Sequence, residues 1–163
     1  MAWKRGSTLA LVIAFTLTAC GISMPTDPDG TLDRVSGGEL RVGASPNGDL
    51  VQVDDGSYTG LEPELVKHFA DSLDATIDWT VGSEEALVRG LENGSLDLVI
   101  AGITDKSPWV DRAAATRPYD EVPDDHGGTH KLVMLVPMGE NAFLSTLEHF
   151  LDAEAPDAEG RGR

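Results

Sequence analysis

Metal binding is the first chemistry that the residue types of this chain suggest. His126 and His130 are four residues apart, and Asp124 and Asp125 lie beside them. Imidazole and carboxylate groups together can bind a transition metal. The intervening Gly127–Gly128 disfavours a helix, so the spacing does not place both rings on one helix face. We therefore predict no metal site.

Catalytic and nucleotide-binding motifs are the next possibility. The sequence has no Ser/His/Asp arrangement in a motif context and no glycine-rich nucleotide loop. Asp54-Asp55-Gly56 has the composition of a tight turn, which is a simpler interpretation than a calcium loop. We therefore predict a non-enzymatic chain without a cofactor.

The single cysteine, Cys20, follows a segment typical of export. Lys4 and Arg5 precede the uncharged apolar run 9–17. This run is much shorter than the roughly 20 apolar residues that a membrane-spanning helix needs. A charged start followed by a short apolar centre predicts a secretory signal peptide over residues 1–19. With one cysteine, the chain cannot form an internal disulfide.

The segment around the cysteine carries a resemblance of its own. Leu17-Thr-Ala-Cys20-Gly21 resembles the lipobox of bacterial lipoproteins, which implies that Cys20 is acylated. A plain signal peptide with a chance cysteine is the alternative. Residues 20–37 lack sustained periodicity and carry turn formers, so we predict a lipidated tether with an end-to-end distance of roughly 20–25 Å. The expected location is the extracytoplasmic face of the cell membrane.

Acidic residues dominate the charge of the chain. The formal net charge is −16, and removal of residues 1–19 leaves 10 basic and 28 acidic residues, a net charge of −18. Such a charge excludes nucleic acid as a partner and opposes adsorption to an anionic bilayer. It is consistent with simple solvation or with a cationic partner.

Strand-like and helix-like segments alternate over residues 38–151. Apolar residues at helical spacing predict helices over 61–73 and 143–151, and Ser83 begins a further helix that Gly94 ends. Residues 152–163 are predicted to be a disordered tail. The alternation predicts an α/β fold with a mostly parallel sheet of about five strands flanked by helices. The predicted strands are Glu39–Gly43, Leu50–Val53, Thr76–Val81, Leu96–Ala101 and His130–Val136.

Four motifs in this order resemble family 3 of the bacterial extracellular solute-binding proteins, the receptors of amino-acid ABC transporters. They are Glu39-Leu-Arg-Val-Gly43, Tyr58-Thr-Gly-Leu-Glu-Pro-Glu-Leu65, the run 87–104 that contains Leu-Asp-Leu-Val-Ile-Ala-Gly-Ile-Thr, and Thr116-Arg-Pro-Tyr119. The resemblance covers about residues 38–119. It implies a periplasmic-binding-protein-like lobe as the fold.

Members of that family have two lobes, and this chain is expected to have one. The resemblance places the crossing into lobe 2 after Tyr119, where only residues 120–129 stand before the strand and helix that return to lobe 1. We therefore predict a single lobe over residues 38–151, with lobe 2 replaced by the loop 120–129. A truncated gene product would stop and would not resume with a strand and an amphipathic helix. One open lobe leaves about half of a ligand in water, so weak binding is expected.

The resemblance also implies a set of ligand-binding residues. The family holds the ligand carboxylate with backbone and hydroxyl donors, here Gly102 and Thr104, and with an arginine whose position Trp109 occupies. Arg112 replaces that arginine if the segment is helical; otherwise it is a surface residue paired with Asp105 or Asp111, or free. Trp109 either stacks on a ligand or covers apolar surface left bare by the missing lobe. The candidate ligand-binding residues are Ser45, Gly102, Thr104, Trp109, Arg112 and Tyr119.

Two functional hypotheses follow. The first is a membrane-tethered solute-binding module whose partner is an amino acid or a similar small polar solute. The second is an interaction subunit that docks on an ABC permease or another membrane transporter without binding a small ligand. In the second case the docking face lies around Gly48, Thr104, Trp109 and Tyr119.

Overall fold

A five-stranded sheet forms the centre of the computed structural model, which describes residues 26–123 and 127–154. In chain order the strands are β1 (Glu39–Ala44), β2 (Gln52–Asp54), β3 (Ser57–Thr59), β4 (Thr76–Val81), β5 (Leu98–Ile100), β6 (Ala114–Ala115), β7 (Asp120–Pro123), β8 (Thr129–Leu132) and β9 (Leu135–Val136). The central order is β4-β1-β5-β9-β6. β4, β1 and β5 pair in parallel, whereas β9 is antiparallel to both of its neighbours. This confirms the predicted α/β class and the mostly parallel five-stranded sheet.

Helices cover both faces of the sheet. They are α1 (Thr31–Val35), α2 (Leu61–Ser72), α3 (Glu84–Glu92) and α4 (Asn141–Glu154). One core joins β1 and β5 to α2 and α4, through buried residues such as Phe69 and Phe143. A second core lies on the opposite face under α3, around Leu87 and Val99. Because both faces of β5 are covered, its apolar run has no alternation of buried and exposed residues.

Gly43 sets the distance between α3 and the sheet. A Cβ on this residue would stand 2.9 Å from Leu87 Cδ2 and 2.8 Å from Leu96 Cδ1. A side chain at position 43 would therefore require Leu87 and Leu96 to move. The segment that leads into α3 lies beside the carboxyl-terminal end of β1, where Gly82 N–H donates to the Ala44 carbonyl at 3.2 Å.

A β-hairpin stands where a loop was predicted for residues 120–129. Strands β7 and β8 pair antiparallel from Asp120–Leu132 to Pro123–Thr129, so the prediction of a loop is wrong for residues 120–123 and 129. The backbone groups of this polar segment are satisfied by pairing with each other. Residues 124–126, which carry the predicted His126 and its acidic neighbours, lie outside the described residues.

The strand predicted as His130–Val136 is divided in two. β8 ends at Leu132, and β9 in the central sheet begins at Leu135. Between them, Val133 N–H donates to the Ile103 carbonyl at 2.8 Å and Met134 N–H donates to Thr116 Oγ1 at 3.0 Å. This break lets one segment serve first the hairpin and then the sheet.

Part of the predicted tether is folded. Residues 26–37 belong to the domain, because α1 forms over Thr31–Val35 and Val35 is fully buried. The side chain of Asp27 accepts hydrogen bonds from the first amides of α4, and Glu140 accepts from Asp29 and Thr31 near the start of α1. The prediction of a tether is therefore wrong for 26–37, where two carboxylates supply the order that periodicity does not show.

The ends of the chain complete the comparison with prediction. Helix α4 runs to Glu154, past the predicted end of the domain at residue 151. Cys20, the signal segment and residues 155–163 lie outside the described residues.

Among the described residues, no helix has the length and apolar character required to cross a membrane.

Candidate functional site

Three parallel strands end side by side at one edge of the sheet. Residues 45–51 follow β1, residues 82–84 follow β4 and begin α3, and residues 101–107 follow β5; together they are called the top edge. Ligands of open α/β sheets bind in crevices at the carboxyl-terminal ends of the strands. The top edge is therefore the candidate site.

Ser45 and Thr104 lie at the top edge as predicted. Ser45 N–H donates to the Ile100 carbonyl at 3.0 Å, which joins the ends of β1 and β5. Thr104 forms a backbone bridge with Leu132. Both residues are half-buried, and neither hydroxyl forms a hydrogen bond to another described residue. These two hydroxyls are thus available to a ligand.

Gly102 is also at the top edge, but its amide is already used. Its N–H donates to Glu62 Oε2 at 2.9 Å. Its φ of 61° lies in the left-handed region, and a Cβ there would stand 2.4 Å from Nδ2 of Asn47. Nδ2 of Asn47 in turn donates to the Ala101 carbonyl at 2.7 Å. The backbone donor expected to face the ligand therefore satisfies the protein itself.

Glu62 is a site residue that the sequence interpretation missed. Its side chain is fully buried, and burial raises its pKa to about 7 although hydrogen bonds from Tyr119 and Gly102 act in the opposite direction. The buried face of α2 contains positions 62, 66, 69 and 70. That helical spacing places Glu62 in line with apolar residues and is the signal that could have identified it.

Tyr119 lies in the core rather than on an open face. The residue is 8% exposed, and its hydroxyl donates to Oε1 of Glu62. Burial, followed by the proximity of Glu62, raises its pKa well above the usual value. Tyr119 supports the top edge through Glu62 and is not placed to contact a partner protein, which removes it from the predicted docking face.

Trp109 forms a wall of the top edge together with Glu84. The indole N–H donates to Glu84 Oε2 at 2.5 Å, and both residues are half-buried. Ser83 precedes Glu84 and caps α3, accepting a hydrogen bond from Ala86 N–H at 3.4 Å. The ring of Trp109 also packs on the core under α3. Trp109 therefore covers part of this core, and whether it replaces contacts of a missing lobe stays a prediction.

Arg112 follows a short 3-10 helix, Pro108–Asp111, and its guanidinium lies 5.5 Å from the Trp109 ring centroid, so it covers the ring and does not enter the top edge between the strands. Two hydrogen bonds of 2.8 and 2.6 Å join it to Glu92 at the far end of α3. Glu84 and Glu92 are about 12 Å apart along the helix. The expected replacement of the family arginine is therefore not formed, and neither is the alternative pairing with Asp105 or Asp111.

A cavity of about 680 Å³ lies at the opposite, bottom edge of the sheet. Its wall includes Asp97, which is buried and accepts hydrogen bonds from both Arg34 and Arg41. Burial alone would raise the pKa of Asp97, but these hydrogen bonds lower it below its usual value. Arg112 lines the same cavity and is held by Glu92. Asp97 thus links α1 to β1 through Arg34 and Arg41, and Arg112 is paired with Glu92. These charged groups of the cavity wall are paired within the protein and have a structural role.

Within the two described ranges, no group of three His, Cys, Asp or Glu side chains is arranged to hold a metal ion.

The sequence profile of the bacterial extracellular solute-binding proteins, family 3, matches residues 40–154. Among characterised proteins, the membrane-bound lytic murein transglycosylase F of Vibrio vulnificus is 32% identical over 94 residues. That match covers 56% of this chain and 18% of the transglycosylase. The chain therefore spans about a fifth of the length of this relative.

Solved structures share the fold at low identity. The arginine-bound form of domain 1 from TmArgBP has a TM-score of 0.64 and 22% identity, covering 74% of this chain and 97% of that chain. A Salmonella typhimurium periplasmic binding protein described as highly specific for arginine has a TM-score of 0.63 and 13% identity, covering 74% and 95%. A binding component of an ABC transporter from Wolinella succinogenes, complexed with lysine, has a TM-score of 0.62 and 16% identity, covering 70% and 88%. At these identities the likeness establishes the fold and not the ligand.

Proposed function

The chain belongs to family 3 of the bacterial extracellular solute-binding proteins, and from this premise we propose that it is a non-enzymatic, single-lobe receptor for a small polar solute of the amino-acid type. The observation that carries the proposal is the pair of uncommitted hydroxyls, Ser45 and Thr104, where two parallel strands end. The arginine-bound domain 1 from TmArgBP supports it, because that chain is a single domain of similar extent. One lobe is thus a sufficient framework for a ligand of this size.

Membrane attachment through a lipid on Cys20 is the second part of the proposal. The charged start, the short apolar run and Leu17-Thr-Ala-Cys20 support it. Five residues separate Cys20 from Thr26, where the described domain begins, and the six Cα–Cα steps between them reach at most about 20 Å. A receptor of this kind remains beside the transporters of its own membrane.

Isothermal titration calorimetry on the chain from residue 21 onward tests the solute-binding part. Arginine, lysine, glutamine and glutamate form a suitable panel. We expect at least one of them to bind with a Kd between about 10 µM and 1 mM, since one lobe leaves much of the ligand in water. The absence of heat from the whole panel at millimolar concentrations overturns the proposal.

One observation favours the alternative of a docking subunit without a small ligand. The Gly102 amide is occupied by Glu62, and Asn47 covers the same glycine, so the protein fills part of its own site. In that case the exposed part of the top edge, including Gly48 and Thr104, docks on an ABC permease or another membrane transporter. In intact cells, a photo-crosslinking residue at position 105 gives a membrane-protein adduct if the top edge docks on a transporter. No adduct is expected if the chain is a receptor that acts without docking on a transporter.

A further inference from the structure

The cavity at the bottom edge is next to the N-terminal end of the described domain. Asn141 N–H donates to the Thr26 carbonyl at 3.1 Å, and Met138, which lines the cavity, belongs to the same loop as Asn141. Five residues separate Thr26 from Cys20, the residue proposed to carry a lipid. With that lipid in place, a tether of at most about 20 Å keeps this cavity close to the lipid headgroups.

Three arginines line the cavity, and part of each guanidinium is unused. Arg41 donates to Asp97 through Nε and Nη2, and Arg112 donates to Glu92 through the same two atoms. Nη1 of both arginines forms no hydrogen bond to any described residue. Arg34 also donates to Asp97, so one carboxylate serves two guanidinium groups. The cavity wall therefore keeps N–H donors for an oxyanion such as a phosphate group.

The same cavity also has groups that favour a cation. Asp29 lines it and is exposed, and within the described part of the chain its carboxylate forms no hydrogen bond or ion pair. Asn93 and Gly94 contribute the carboxyl-terminal end of α3, where the helix dipole is negative. An ammonium group is therefore stabilised in this cavity as well.

The charges in and around the cavity favour a zwitterion over an anion. Acids and bases are equal in number in the lining, which contains Asp29, Glu92, Asp97, Arg34, Arg41 and Arg112. Beyond the lining, Glu39 and Asp78 act electrostatically on Arg41, and Arg34 acts on Glu140. The whole chain has a net charge of −16. A free anion is therefore repelled, whereas a ligand with one phosphate and one ammonium group matches a lining of both signs.

An exposed methionine lies beside these charged groups. Met138 is 57% exposed, and in the described ranges only Val81 is a comparably exposed large apolar side chain. Pro137 and Met138 line the cavity from the loop between β9 and α4. An apolar side chain next to a headgroup can enter the boundary between headgroups and acyl chains. The cavity and Met138 together therefore suit a bilayer surface better than a free solute.

We propose that the cavity at the bottom edge binds the headgroup of a zwitterionic phospholipid, with the phosphate on Arg41 and Arg112 and the ammonium on Asp29. Its volume of about 680 Å³ is in the range of small-molecule sites. A primary ammonium donates hydrogen bonds to a carboxylate and a quaternary one does not, so phosphatidylethanolamine is preferred to phosphatidylcholine. The inference goes beyond the proposed function, from which it takes only the lipid on Cys20. A weak contact is sufficient, because the anchor keeps the cavity beside the headgroups.

NMR titrations of the isotope-labelled chain from residue 21 onward test the headgroup alone. The probes are glycerophosphoethanolamine, glycerophosphocholine, glycerophosphoglycerol and inorganic phosphate. We expect glycerophosphoethanolamine to shift the amide signals of residues 91–97 with a Kd between about 1 and 20 mM. Glycerophosphocholine should bind at least about threefold more weakly, and the two anions at least about tenfold more weakly. Unchanged signals with glycerophosphoethanolamine overturn the inference, and equal binding of inorganic phosphate does so too, since it would show a simple anion site.

Hydrogen exchange on vesicles separates a bilayer from a soluble compound with the same groups. The chain from residue 20 onward is coupled through Cys20 to a maleimide lipid, in phosphatidylcholine vesicles that contain either phosphatidylethanolamine or phosphatidylglycerol. We expect the amides of residues 91–97 to exchange at least about threefold more slowly with phosphatidylethanolamine. Equal exchange in both vesicles, with glycerophosphoethanolamine binding in solution, assigns the cavity to a soluble compound and overturns the lipid proposal. Either failure leaves the proposed solute binding intact, because the amino-acid calorimetry tests the top edge.

The variant Arg112→Gln tests the phosphate side of the cavity. Loss of the guanidinium should raise the Kd of glycerophosphoethanolamine by about fivefold or more. Arg117→Gln is a matched control, because Arg117 is an exposed arginine that pairs with Glu148 and Asp152 and does not line the cavity. Equal affinity in the wild type, R112Q and R117Q contradicts the assignment.

The variant Asp29→Asn tests the ammonium side. The amide of Asp29 donates to Glu140 whatever its side chain is, so the variant keeps that hydrogen bond. We expect D29N to bind glycerophosphoethanolamine at least about threefold more weakly and to lose the preference over glycerophosphocholine. Thermal midpoints of the variants within a few degrees of the wild type exclude unfolding as the cause. A preserved preference in D29N shows that Asp29 does not hold the ammonium and overturns the proposed pose.

Discussion

Glu62 connects three segments that meet beneath the top edge. Its two oxygens accept hydrogen bonds from Tyr119, before the hairpin, and from Gly102, after β5, while the residue itself lies in the first turn of α2. A buried carboxyl group is costly when ionised and stable when its oxygens are hydrogen-bonded. Burial raises the pKa of Glu62 more than the hydrogen bonds lower it, and the resulting pKa is about 7.

The pKa of Glu62 predicts how stability depends on pH. The folded-state pKa of about 7 exceeds the ordinary value of 4.5, so between these values the folded protein keeps a proton that the unfolded chain releases. The free energy of unfolding therefore decreases as the pH rises through this window, by about 3 kcal/mol for this group alone. Urea denaturation at several values between about pH 4.5 and pH 8 measures the slope.

Glu62→Gln isolates this contribution, because glutamine has nearly the same shape and does not titrate. We expect the decrease with pH to be about 3 kcal/mol smaller in the variant than in the wild type. Glu64→Gln, an exposed carboxylate in the same helix, should keep the wild-type slope. Identical slopes in the wild type and E62Q would show that Glu62 titrates normally in the folded protein.

Two helices from opposite ends of the chain cap each other. Asp27 precedes α1, yet its carboxylate accepts from Ala142 and Phe143 at the start of α4, at 2.6 and 3.0 Å. Glu140 precedes α4, yet its carboxylate accepts from Asp29 and Thr31 at 3.0 Å each. Glu140 thereby satisfies the first amide of α1 and one amide just before it, and Asp27 satisfies amides at the start of α4 as well as Leu32 N–H of α1 at 2.9 Å. The N-terminal segment is therefore fixed to the returning helix.

The reciprocal caps predict coupled losses of stability. Asp27→Ala should lower the free energy of unfolding by about 1–2 kcal/mol, in the range of other helix caps. Glu140→Gln should cost a similar amount, because it weakens two hydrogen bonds to a buried carboxylate. Since both residues fasten one junction, the double variant should lose at least about 0.5 kcal/mol less than the sum of the single losses. Urea denaturation of the four proteins gives this coupling, and strict additivity contradicts it.

The elements differ in how well the sequence predicts them. The helical spacing of Leu65, Phe69 and Leu73 and the apolar run through Leu98 follow local rules, and both elements form where they were predicted. The folding of residues 26–37 depends on Asp27 and Glu140, which are more than 100 positions apart, so no local pattern indicates it. Long-range hydrogen bonds of single side chains are what the sequence interpretation lacks.

The site shows the same division between local and long-range information. The positions of Ser45, Gly102 and Thr104 follow from the strands they terminate, and these residues do meet at the top edge. The position of Arg112 depends on which of several acids pairs with it, and Glu92 does so through two hydrogen bonds. Spacing along the chain cannot predict which acid becomes the partner.

At the scale of the whole molecule, the N-terminal end of the described domain and the top edge lie at opposite ends of the sheet. The N-terminal segment enters beside the loop after β9, where Asn141 N–H donates to the Thr26 carbonyl at 3.1 Å. Asp29 and Met138 line the cavity at the bottom edge. Strand β1 then spans about 17–20 Å from the bottom edge to the top edge. From the proposed lipid on Cys20, we expect the bottom edge to face the bilayer and the top edge to face the solvent.

This orientation predicts unequal access of two probes to the membrane. Met138 is 57% exposed at the bottom edge, and Asp105 is exposed at the top edge. When Cys20 is acylated, a cysteine introduced by Met138→Cys or Asp105→Cys is the only free thiol and accepts a fluorophore selectively. In vesicles that contain lipids with a headgroup quencher, the probe at position 138 should be quenched strongly and the probe at position 105 weakly.

The net negative charge strengthens this difference on anionic vesicles, because it prevents the domain from lying flat on the surface. Equal quenching at both positions would show that the anchor does not set the orientation, and quenching at neither would show that the tether holds the domain away from the bilayer.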